Sequence, residues 1–128
     1  MADQFDIVDI VYDAVEPVST SFILYKDRSG DGETKNHITI RMLTLNETEV
    51  VNKGIANINV FVKQQHNGMP SRQLMKESTR KIKSALREIK PPFGMYGKSR
   101  IVWSEPLGEA KEGFDCTNIR FEVITEID

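Results

Sequence analysis

The sequence predicts an α+β fold with a mainly antiparallel sheet, an N-terminal helix and one long central helix, in the order α-β-β-β-α-β-β. Three observations carry that expectation. Residues 55–63 alternate, with Ala56, Ile58, Val60 and Val62 on one side and Asn57, Asn59 and Lys63 on the other, which is the two-residue period of a strand with one buried face. After a turn, Leu74, Met75, Ser78, Ile82, Ala85, Leu86 and Ile89 recur with the 3.6-residue period of an amphipathic helix. Near the C-terminus Ile119, Phe121, Val123, Thr125 and Ile127 alternate with Asn118, Arg120, Glu122 and Glu126, the longest strand pattern in the chain.

Taken in order, residues 4–16 read as a helix. Phe5, Val8, Tyr12 and Val15 form its apolar stripe, Asp3 is placed to cap it, and Pro17 ends it by lacking a donor and disfavouring helical geometry at Glu16. On the other side Asp6, Asp9, Asp13 and Glu16, spaced by three, four and three, form an acidic ridge. Residues 21–26 read as a short strand and 27–36 as a polar loop. Its DRSGDG segment resembles the start of a calcium loop, but Ile38 stands where the bidentate glutamate is required, so a surface loop is expected. Residues 37–45 form a strand with Ile38, Ile40 and Met42 on one face and Arg41, Leu43 and Leu45 on the other. The polar segment 46–53 returns it antiparallel into strand 55–63. Ile55 and Phe61 beside two asparagines leave the reverse face of that strand mixed, as where a sheet meets a neighbouring subunit or a loop folds over.

Residues 66–70 make a turn, Ser71 is placed as an N-cap, and the central helix runs to Ile89, where Lys90-Pro91-Pro92 stops it. Opposite its apolar stripe, Arg72, Lys76, Arg80, Lys83, Arg87 and Lys90 are spaced by four, four, three, four and three, so they form one cationic ridge. In the following loop Phe93, Met95 and Tyr96 need burial, either on the chain's own core or against another subunit. Residues 98–105 read as a strand with Ile101 and Trp103 inward, 106–114 as a turn-rich connection, and Cys116 as an outward position opening the last strand. Neither repeats nor a linker divide the chain, so one domain spanning residues 1–128 is expected.

Composition is that of a soluble globular protein: 39% apolar, 28% charged and a net charge of −2, which excludes a strongly basic nucleic-acid coat but not a local basic patch. One cysteine allows no internal disulfide. The N-terminus lacks the basic start of a signal peptide, and no apolar run approaches the roughly 20 residues of a membrane helix. No secretion and no membrane association are expected. Chemistry is thinly represented. His37 and His66 stand in no metal-ligand spacing, Cys116 has no histidine near it in the pattern, and no phosphate loop, nucleophile elbow or paired-carboxylate motif is present. A non-enzymatic protein without cofactor, metal or small-molecule substrate is therefore expected.

Three readings apply to the cationic ridge: a solvated face, a surface for phosphates, or a surface for acidic groups of a neighbouring copy such as Asp6, Asp9, Asp13 and Glu16. Nucleic-acid binding favours aromatics interleaved with the cations, and this face has none, so the protein partner is preferred. The order of elements, with HITIRMLTL, NKGIANINVFVK, the single long helix and a final strand ending CTNIRFEVITEI, resembles the tail-terminator and tail-completion (head–tail joining) proteins of tailed bacteriophages. The resemblance covers nearly the whole chain and rests on element order and hydrophobic texture. It implies a structural protein of a phage or prophage, assembled as a ring in contact with tail-tube or head-completion proteins, found in the virion or in the bacterial cytoplasm during assembly. It carries no catalytic residues. In a head-to-tail ring each subunit offers one surface to a different surface of its neighbour, and ridges of opposite charge suit that geometry. A small bacterial protein-binding module and a nucleic-acid-binding protein are the alternatives.

Overall fold

Strand β3 (Val51–Lys63) runs through the middle of a five-stranded sheet and sets which residues are inside. The computed structural model describes residues 4–19, 21–30, 32–47, 51–89 and 97–126. Along the chain come helix α1 (Gln4–Val15), β1 (Ile23–Lys26), β2 (His37–Glu47), β3, helix α2 (Arg72–Arg87), β4 (Gly97–Lys111) and β5 (Phe114–Glu126), which is the expected α+β order. The strands lie in the order β1-β2-β3-β5-β4. β1 pairs in parallel with β2, and the other pairs are antiparallel.

Register lines the apolar residues up in rows across one face: Ile38 with Val60, then Ile40, Ile58 and Ile119, then Met42, Ala56 and Phe121. Both helices cover this face, α1 through Ile7, Val8, Val11 and Val15 and α2 through Ile82 and Leu86, with Leu74, Met75 and Ile89 packed around them. Fully burying one such aliphatic side chain contributes about 1.5–3 kcal/mol, so these rows rather than local propensity hold the helices in place. Ser78 is buried in the same stripe and stays paired, because its hydroxyl donates back to the carbonyls of Leu74 (2.7 Å) and Met75 (3.2 Å).

Several expectations are corrected. Ser71 precedes α2 but caps no amide; its hydroxyl donates to the Lys63 carbonyl at 2.9 Å and ties the helix start to the end of β3. The connection expected over 106–114 is mostly strand. β4 continues through Pro106 and Gly108 to Lys111, and Glu112 and Gly113 turn the chain, with Gly113 at φ 82°. β4 is an edge strand, with one side free to carry a missing donor, and shifts in register beside Pro106 and Gly108 absorb the irregularity. A further shift between Ile101 and Trp103 overturns the expectation that both face inward. Ile101 stays opposite Phe121 on the core, whereas Trp103 lands opposite Arg120 on the other face. Asp3, Lys90, Phe93, Met95 and Tyr96, all singled out from the sequence, lie outside the described residues.

Candidate functional site

Since the apolar stripe of α2 is laid against the sheet, its cations turn outward. Arg72, Lys76, Arg80 and Arg87 are exposed and Lys83 is half-buried. No side chain of these five makes a hydrogen bond or ion pair among the described residues. Glu77, one turn from them, is engaged by Gln73 at 2.8 Å. The ridge overhangs two grooves. One, of about 650 Å³, lies between α1 and α2 and is lined by Asp13 and Pro17 on one side and by Arg80, Lys81 and Ser84 on the other. The second, of about 860 Å³, lies between α2 and the β4–β5 hairpin and is lined by Lys76, Lys83, Met69, Met75, Thr79 and Asp115.

The acidic ridge is exposed as expected, but it is already partly matched within the chain. Asp9 lies 2.7 Å from the Lys26 ammonium, which also sits 4.8 Å over the Tyr12 ring. The hydrogen bond to Asp9 holds Lys26 above the ordinary lysine range. Because both helices pack on one sheet face, the two ridges stand on neighbouring helices, and Asp13 and Arg80 line the same groove. Helical periodicity shows each ridge but not this adjacency.

The other face of the sheet, mixed in the sequence, is a hydrogen-bonded polar layer. Asn118 donates to Asn57 Oδ1 (2.5 Å) and Asn59 Oδ1 (2.8 Å) and accepts from the Trp103 indole (2.9 Å). Arg120 stacks 4.1 Å from the centroid of Trp103, and Arg100 donates to the buried Glu122 at 3.1 Å. Toward the hairpin turn this layer becomes aromatic. His37 is fully buried, stacked on Phe61 at 4.6 Å and edge-on to Phe114 at 5.1 Å.

His37 Nδ1 lies 2.7 Å from the Lys35 carbonyl, which fixes the proton there and leaves Nε2 to accept from Lys111 Nζ at 3.3 Å. The Lys111 ammonium also lies over the rings of Phe61 and Phe114, so the end of β4 is pinned to β2 and β3 through a neutral imidazole. Burial, reinforced by the Lys111 charge, pushes His37 below its ordinary value of 6.5. The unfolded chain therefore takes up a proton that the folded chain resists. Stability is full above about pH 6.5 and declines as pH falls below it. Urea unfolding at about pH 7 and about pH 5 checks this: the wild type should lose more stability on acidification than His37→Gln, and equal losses would remove His37 from the account.

Among the described residues no three histidine, cysteine, aspartate or glutamate side chains gather as a metal site, and none of the described helices is long and apolar enough to cross a membrane. Cys116, expected to point outward, is buried opposite Phe61, and burial pushes its thiol up to about 11. It stays protonated near neutrality, because the reverse face is packed with side chains rather than open.

The fold is thus a five-stranded α+β sheet with two helices on one face and a polar, hydrogen-bonded layer on the other. No family model matches the sequence, and no curated protein matches it. Among solved structures the fold is similar to a chain of the "Virion of native gene transfer agent (GTA) particle", with a TM-score of 0.61 and 9% sequence identity, over 91% of this chain and 92% of that one. The resemblance read from the sequence is thereby borne out as a likeness of fold to a virion protein.

Proposed function

We propose that this chain is a non-enzymatic structural protein of a phage-like virion, of tail-terminator or head–tail joining type, which assembles as a ring. The observation that carries the reading is the likeness of fold over nine-tenths of both chains to a protein of the gene transfer agent virion. The surface supports it. A cationic ridge of Arg72, Lys76, Arg80, Lys83 and Arg87 without counter-ions among the described residues suits contact with another protein better than an internal structural role. From the sequence alone, Lys90, Phe93, Met95 and Tyr96, which lie outside the described residues, are proposed as further contact residues. On the neighbouring helix α1, Asp6, Asp9, Asp13 and Glu16 are the acidic counterpart, with Phe5 exposed on the same helix.

Light scattering coupled to size exclusion at low salt tests the reading. The wild type is expected to elute as a closed oligomer and to appear as rings under negative stain. Arg80→Glu, Lys83→Glu and Arg87→Glu combined should shift it toward smaller species, with thermal stability changed little because these side chains are outside the core. A monomer under all conditions, with or without the substitutions, would overturn the ring.

A further inference from the structure

The groove between α2 and the β4–β5 hairpin carries chemistry that a merely solvated ridge does not need. Asp115 is only 6% exposed, lies on the helix-covered side of β5 opposite Val62, and its Oδ2 has no hydrogen-bond partner among the described residues. Thr79 Oγ1, on the α2 side of the same groove, is buried and equally without a partner. An unpaired buried acceptor is costly, and a groove that keeps two unpaired polar atoms beneath a row of cations is suited to a ligand that supplies donors below and negative charge above. Met69 and Met75 in the lining add soft apolar surface, and Met69 is 57% exposed.

These requirements exclude most occupants. A nucleic-acid backbone offers negative charge along its whole width and would bring phosphate against the Asp115 carboxylate. An extended peptide meets both conditions at once: its backbone amides donate to Asp115 and Thr79, acidic side chains reach Arg72, Lys76 and Lys83, and an apolar side chain packs against the methionine lining. We infer that this groove binds an extended acidic peptide segment of a partner protein. The inference rests on the assembly reading of the ridge and names the chemistry of what docks there.

Fluorescence anisotropy with the full chain tests it, using a fluorescein-labelled peptide of alternating glutamate and leucine, a lysine–leucine control and a labelled single-stranded DNA. The glutamate–leucine peptide should bind saturably, and the lysine–leucine peptide should not. Lys76→Glu with Lys83→Glu should weaken binding about tenfold or more. Asp115→Ala should weaken peptide binding and leave or strengthen DNA binding, while Asp115→Asn, which keeps an acceptor, should restore the peptide. Thermal unfolding of Asp115→Ala should be no lower than wild type, because the substitution removes a buried acceptor without a partner. DNA binding as tight as the peptide, no saturable peptide binding, or indifference to Asp115→Ala would each overturn the inference. Loss of the oligomer on ridge reversal without peptide binding to the wild type would sink the groove alone. A monomeric wild type that binds the peptide would sink the ring alone.

Discussion

Replacing Phe121 with alanine is expected to lower the free energy of unfolding by about 3–5 kcal/mol. Phe121 is 1% exposed, the largest of the fully buried side chains among the described residues, and stands between Ala56 on β3 and Ile101 on β4. Its neighbour Ala56 is too small to fill the space, and the helices above are held by Ile7, Val11, Ile82 and Leu86, so the site collapses only partly and a cavity remains. Urea unfolding gives the check: the midpoint should fall while the slope stays unchanged. Leu107→Ala is the comparison, since Leu107 is 46% exposed and its loss should cost no more than about 0.5 kcal/mol. Similar losses at the two positions would contradict the packing described.

Removing Asn118 should cost about 2–3 kcal/mol by a different route. Both protons on its amide nitrogen are donated, to Asn57 and Asn59 on β3, and its oxygen accepts from Trp103 on β4, so one amide of β5 satisfies three neighbours on the two flanking strands. Asn118→Ala strands Asn57, which is itself only 7% exposed, whereas Asn59 and Trp103 are open enough to recover water. Trp103 is the chain's one tryptophan, so the loss is visible directly: its emission should shift to the red as the indole N–H is released to solvent. Asn57→Ala introduced together with Asn118→Ala should recover part of the stability, because the orphaned partner is gone. A double variant that loses the sum of the two single losses would show that the amides do not act as a unit.

The two effects mark the boundary between what pattern reveals and what it hides. Phe121 was legible as core from alternation alone, since a two-residue period places Ile119, Phe121 and Val123 on one face wherever the strand ends up. Asn118 was equally legible as lying on the other face, but its role was not, because its three partners come from residues 57, 59 and 103. Trp103 was misplaced for the same reason: one extra residue in an edge strand reverses the inside and outside of everything that follows, and the shift shows only once β4 is paired with β5. Pro106 and Gly108 read as a connection because those residues break most strands. An edge position tolerates them.

For the candidate site the division is similar. Helical periodicity alone placed Arg72, Lys76, Arg80, Lys83 and Arg87 on one ridge of α2 and Asp6, Asp9, Asp13 and Glu16 on one ridge of α1, because a 3.6-residue repeat fixes which side chains share a face. The element order and the buried rows followed from the same local periods. Tertiary structure decided what those ridges border. Packing both helices on one sheet face brought Asp13 and Arg80 to the same groove, paired Asp9 with Lys26, and put the cations of α2 on a second groove that Asp115 and Thr79 also line. Those two residues lie 36 positions apart and share no pattern. Only the register of β5 against β3, under a helix anchored at Ile82 and Leu86, brings them together.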